Sequence, residues 1–138
     1  MSNLVQDENS ALEDLLECCH GAIYAYGIIA AYLTNPDQAL DAMAEYRKHR
    51  DELLATFDQL GLIAPAAKAA YFLPNKITDV SSAKATAAML EENAVAHWAN
   101  AYFYLPKDIS ERESKFLQSS AARAFSWSGI AKAFSSAN

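Results

Sequence analysis

Glycine and proline are scarce in this chain, four of each in 138 residues. That excludes the turn-rich composition of a β-sandwich and leaves room for long helices. Hydrophobic residues make up 52%, too many for a disordered chain. Basic charge is short as well: 11 Lys and Arg stand against 17 Asp and Glu, a net charge of −6. A chain of that sign repels a phosphate backbone, so nucleic acid is not an expected partner. Cysteine is nearly absent, and the two present are the neighbours Cys18 and Cys19. Adjacent helical residues point about 100° apart, so these two do not bridge and no disulfide framework is expected. No uninterrupted apolar run approaches the roughly 18–20 residues of a bilayer span. The opening MSNLVQDENS is too polar and acidic for a signal or transit peptide. The expectation is a cytoplasmic protein with no membrane partner.

What the chain does have is apolar spacing of helical period in four stretches. Leu12, Leu16, Cys19, Ile23, Tyr26, Ala30 and Leu33 alternate steps of four and three, the seam of a helix over about 10–33. Ser10 with Glu13 reads as its capping box. TNPDQ breaks the chain, with Asn35 as cap and Pro36 as first helical residue. A second helix over about 36–60 carries Ala39, Met43, Tyr46, Arg50, Leu53, Phe57 and Leu60 and stops at Gly61. GLIAPAAKAAYFLPNKITD follows, with two prolines, and is too apolar for a free linker. It is expected to cross the length of a bundle with Tyr71, Phe72 and Leu73 packed against it.

A third helix, about 80–105, places Ala88, Glu91, Val95, Trp98 and Tyr102 on one face. A fourth, about 109–135, opens at Asp108 and Glu111 and carries Phe116, Ser120, Arg123, Trp127, Ile130 and Phe134. Residues 1–138 therefore read as a single all-α domain. The expected fold is a ferritin-like four-helix bundle, two helical hairpins joined by a long crossover between helices two and three. An up-and-down bundle with short loops is the alternative, which the long connection disfavours.

Glu17-x-x-His20, within ECCHGAIYAYG, has the spacing of a ligand pair. A two-metal carboxylate centre takes a Glu from each of two helices and a Glu-x-x-His from each of the other two. Four carboxylates then balance the metal charge, and two imidazoles complete the shells. The candidate ligands for iron or manganese are Glu17, His20, Glu45, His49 and Glu91, with Glu52 on the face of Glu45 and His49. No second Glu-x-x-His exists in the chain. His97 is misplaced relative to Glu91 and Glu92, and the fourth helix holds Arg123 where a ligand would stand. Glu17 and His20 flank their seam, and EYRKHRDEL reads as a solvated face. No cofactor is expected; a reduced iron or manganese site is the alternative.

Charges inside apolar stripes are the unusual feature. Arg50, Glu91 and Arg123 occupy positions otherwise held by Leu, Phe, Val and Trp. An unpaired buried charge is costly, so Glu91 is expected to pair with Arg50, Arg123 or both. Arginines that snorkel to water at the bundle ends are the alternative. Cys19 reads as a small buried hydrophobe. Cys19, Tyr26, Tyr46 and Trp98 would line a pocket if the bundle carried a small ligand.

AIYAYG, HRD, AYFLPNKITD, LEENA and the pair Arg123 and Trp127 together resemble a bacterial ferritin-like family known as domains of unknown function. The resemblance runs over nearly the whole chain. It implies a ferritin-like bundle and no catalytic residues. Such families commonly carry a Glu directly before the first-helix His, and here that position is Cys19, which takes a carboxylate from the seam. The expected function is a non-enzymatic binding or interaction module, as a homodimer joined through an aromatic or alanine-rich helix face. An oxidase-like or metal-storing protein and a small-ligand carrier are the two competing readings.

Overall fold

Four helices make up the regular structure of the described residues: α1 (Gln6–Tyr32), α2 (Asp37–Gln59), α3 (Val80–Tyr104) and α4 (Lys107–Ala137). The computed structural model describes the backbone of residues 6–137 and the side chains of residues 7–129. The fold is all-α, consistent with a four-helix bundle.

The helix ends show which local signals act. α1 begins at Gln6, so Ser10 and Glu13 lie inside it and form no cap. Asp7 and Glu8 sit in its first turn instead, where acidic charge complements the positive end of the helix dipole. Pro36 is the N-cap of α2 rather than its first residue, and Asn35 Oδ1 accepts from the Asp37 N–H at 3.0 Å. α2 closes in a Schellman motif: Gly61 has φ +69°, Leu62 N–H donates to the Phe57 carbonyl and Gly61 N–H to that of Asp58. Asp79 caps α3 reciprocally with Ser82, each side chain accepting the other's backbone N–H at 2.8 and 3.0 Å. Asp108 lies in the first turn of α4. That helix is not continuous, because Gly129 breaks it at φ 67°, ψ −174°. Ile130 and Phe134 lie outside the described side chains.

α1 packs on α2 and α3, and α3 packs on α4. Leu12, Leu15, Leu16, Ile29 and Leu53 are fully buried, each burial contributing about 1.5–3 kcal/mol. Buried alanines on α1 (Ala22, Ala25) and α3 (Ala87, Ala94, Ala101) keep both helices slim where they meet. α2 and α4 join through longer polar side chains. Gln38 reaches Ser126 at 2.8 Å, Glu52 reaches Lys115 at 3.2 Å, and Thr56 accepts from Arg112 at 2.5 Å. Partner numbers fall along α4 as they rise along α2, so these two helices run antiparallel.

Residues 60–79, between α2 and α3, hold no regular structure. Tyr71 lies over Gly21, its Cδ1 3.7 Å from where a Cβ would stand, and tilts against Tyr24 with ring centroids 6.0 Å apart. Leu73 is partly buried against the core. Phe72 does not pack as expected; it is fully exposed, because alternate residues of an extended segment face opposite ways. α1 also departs from expectation in composition: over Asp7–Tyr32 it is long enough to cross a membrane and holds an 18-residue window of mean hydropathy 1.2. Counting uninterrupted runs misses this. Here Leu12, Leu16, Cys19 and Tyr26 of that helix are buried in the bundle.

Candidate functional site

Glu91 is the centre of a polar layer to which every helix contributes. Its side chain is fully buried. On Oε2 it accepts from the Tyr26 hydroxyl of α1 and from Arg123 Nε of α4, the latter at 2.7 Å. On Oε1 it accepts from the Tyr46 hydroxyl of α2 at 2.6 Å and from Ser120 Oγ of α4. Four donors fill the roughly four lone-pair sites of a carboxylate. Trp127 Nε1 donates in turn to the Tyr26 oxygen at 3.0 Å. Arg123 lies over the Tyr46 ring, 4.9 Å from its centroid, and its Nη1 is 3.7 Å from half-exposed Glu45.

The electrostatics follow from the burial. Desolvation and then the Glu91 charge push the Tyr26 and Tyr46 phenols well above their usual range, which keeps both as donors. Burial works against the charge of Arg123, but the Glu91 carboxylate more than offsets it, and the guanidinium pKa rises. Hydrogen bonds to an ionised acceptor are about twice as strong as neutral ones, so this layer couples the helices tightly.

A second buried polar pair lies along α2 and α4. His49 Nε2 is 3.0 Å from Glu113 Oε2, with both side chains unexposed. The approach is off the hydrogen-bond direction: both His49 nitrogens and both Glu113 oxygens lack hydrogen-bond partners, as does Trp98 Nε1. His49 stacks on Phe116 at 3.7 Å and meets Trp98 edge-on at 5.1 Å. The Tyr102 hydroxyl donates to the Glu113 backbone carbonyl.

Several expectations need correction. Arg50 does not enter the core; it is part-exposed and turns to Asp51 at 3.0 Å. His49, taken for part of a solvated face, is fully buried. The reason is local. Two heptads overlap on α2, and the one through Ala42, His49 and Thr56 is buried, while Arg50 is one residue off it. That heptad is the signal that could have found His49. Its partner Glu113 extends the α4 row of Phe116, Ser120, Arg123 and Trp127 by one step of three, and that spacing could have found it; nothing local marks the role of Ser120.

The other metal candidates scatter. Glu17 meets Lys68 at 3.6 Å, His20 is buried with Nε2 unpartnered, and Glu45 touches Arg123. Among the described residues, no three His, Cys, Asp or Glu side chains group to hold a metal. The residues do not fit a two-metal centre, since both oxygens of Glu91 are already taken by protein donors, one of them a cation.

The expected pocket is also misplaced. Cys19, Tyr26, Tyr46 and Trp98 are fully buried core, and of these Tyr46 reaches a cavity wall. That groove, about 720 Å³, lies between α1, α3 and the connecting segment, with Gly21, Ala22 and Ala94 as floor and Tyr71, Leu73 and Leu90 as walls. Lys68, Asn93, His97 and Cys18 supply its polar atoms. Burial, with the charges of Asp14, Glu91 and Glu17, pushes the Cys18 thiol up to about 12, so it stands there as a thiol rather than a nucleophilic thiolate.

No curated protein matches the sequence. The chain is similar to a solved structure, the crystal structure of a conserved hypothetical protein, rv2844, from Mycobacterium tuberculosis, at 29% identity and TM-score 0.84, covering 88% of each chain. A family model described as domain of unknown function (DUF4439) matches residues 11–136, and the chain belongs to that family.

Proposed function

We propose that this protein is a ferritin-like bundle acting as a non-enzymatic binding module for a small, mainly apolar ligand, with no metal centre of its own. The ferritin-like reading is supported by the antiparallel pairing of α2 with α4 and by the long connection before α3. The observation that carries the binding reading is the groove under residues 68–74. Its volume falls in the range of small-molecule sites, and apolar walls with a few polar groups are the usual makeup of such sites. Its floor of Gly21, Ala22 and Ala94 leaves the space open because these residues have little or no side chain.

The test uses the neutral dye N-phenyl-1-naphthylamine and the variant Gly21→Leu. The leucine branch fills the groove floor against the Tyr71 ring, which already lies 3.7 Å from a Cβ at this position, while the helix itself favours leucine over glycine. Fluorescence titration is expected to show saturable binding by the wild-type chain and at least about tenfold weaker binding by the variant, a loss near 1.4 kcal/mol. Equal binding by the two proteins would rule the groove out.

A further inference from the structure

We infer that the Glu91 layer is a two-metal centre rebuilt from protein groups, with the Arg123 guanidinium in place of the metal charge. The inference uses the ferritin-like topology but not the ligand groove, and its readout is metal, not dye.

The pattern of positions is the first support. A two-metal carboxylate centre draws one Glu from each of two helices and an i, i+3 Glu-x-x-His from each of the other two. The polar layer, taken together with neighbouring His49 on α2, has the same layout. α1 supplies Tyr26 alone and α3 supplies Glu91 alone. α2 supplies Tyr46-x-x-His49 and α4 supplies Ser120-x-x-Arg123. Every one of these residues except His49 is hydrogen-bonded into a single cluster. Glu91 and His49 retain ligand chemistry, while the other three carboxylates have become hydroxyls and the second imidazole a guanidinium. Glu17-x-x-His20, which has the ligand spacing, is not part of the cluster.

Charge supplies the second support. Four carboxylates around two divalent ions sum to zero. One carboxylate and one guanidinium also sum to zero. The three hydroxyl replacements remove the negative charge that a metal-free centre could not carry in a dry core. They also reverse the direction of the hydrogen bonds. Around metal, side chains point lone pairs inward at a cation; here Tyr26, Tyr46 and Ser120 point O–H groups inward at an anion.

The third support is His49. Its imidazole stands three residues after Tyr46, the spacing of the ligand pair, yet the Glu91 layer gives it no hydrogen bond. It is buried beside Glu113 with both nitrogens short of hydrogen-bond partners.

The test is reconstruction. The wild-type chain equilibrated with Co(II) or Mn(II) is expected to bind no stoichiometric metal and to keep its Tm. A variant carrying Tyr26→Glu, Tyr46→Glu, Ser120→Glu and Arg123→His restores the full ligand set. It is expected to bind about two Co(II) per chain, to show ligand-field absorption, and to gain thermal stability only with metal. Adding Glu91→Ala should remove the absorption. A milder variant, Ser120→Glu with Arg123→His, should bind about one Co(II) through the new pair with Glu91. Stoichiometric metal on the wild type that is lost on Glu91→Ala would overturn the inference. So would folded variants that take no cobalt. Variants that stay unfolded with cobalt present count against it equally, because correctly placed ligands fold around their metal.

Discussion

Glu113 on α4 stands 3.0 Å from His49 on α2, and solvent reaches neither side chain. Removing Glu113 leaves a buried imidazole alone, so Glu113→Met should cost about 3–5 kcal/mol, whereas His49→Leu leaves Glu113 with Arg112 at 3.5 Å and should cost less. The double variant should be neutral or more stable than wild type by about 1–4 kcal/mol, since four of the pair's polar atoms already lack hydrogen bonds. Urea unfolding of the two single variants and the double variant measures this directly, and additive losses would contradict it.

The Glu91 layer behaves oppositely, because its acceptor sites are filled. Glu91→Gln leaves Arg123 with only half-exposed Glu45, 3.7 Å away, and sets an amide N–H against hydroxyl donors. Equilibrium unfolding should show a loss of about 3–5 kcal/mol. Tyr26→Phe removes one donor of four and should cost less, about 1–3 kcal/mol. An unchanged midpoint for Glu91→Gln would mean that the layer contributes nothing.

Much of the fold is legible in the sequence, because each helix buries a row of apolar residues at steps of three and four. Tyr26, Glu91 and Arg123 stand out as polar members of such rows. Which of them meet is not legible, since the partners of Glu91 lie 29 to 65 residues away along the chain. The choice between His49 and Arg50 fails for a related reason. After Tyr46 a step of three and a step of four fit the apolar pattern equally well, and packing against Trp98 and Phe116 decides for His49. The groove is invisible in the sequence because it depends on what is missing from Gly21, Ala22 and Ala94.

Alkaline pH should weaken the bundle in two steps. The Cys18 and Cys19 thiols are held above their ordinary 9.0, first by burial. The Tyr26, Tyr46 and Tyr102 phenols are held above their ordinary 10.0, again first by burial. Below these values both folded and unfolded chains keep the protons and stability does not change. Above them the unfolded chain releases protons that the native chain retains, so stability falls as pH rises. Each group can remove up to about 1.4 kcal/mol per pH unit. Urea midpoints at a series of pH values should decline from pH 9.0 and steepen past 10.0, and Cys18→Ser should flatten the first part.

Gly61 offers a test free of side-chain contacts, since no atom lies within 4 Å of an added Cβ. Its φ of +69° alone should make Gly61→Ala cost about 1–2 kcal/mol, and Gly61→Asn less. Thermal unfolding of the two variants separates these, and an Ala variant equal to wild type would show that the α2 terminus rearranges.

Two of the four donors in the Glu91 layer come from the other half of the chain than their acceptor. The hairpin of α1 and α2 owns both phenols, and the hairpin of α3 and α4 owns the carboxylate. Separated, the first half would bury two hydroxyls with nothing to receive them, and the second a carboxylate with half of its donors. The layer thus penalises every half-built bundle and ties the two hairpins into one cooperative unit. It also sets what kind of error the chain tolerates. Two copies that exchange hairpins would restore each hydrogen bond, so swapping, rather than fraying of one hairpin, is the misassembly this core permits.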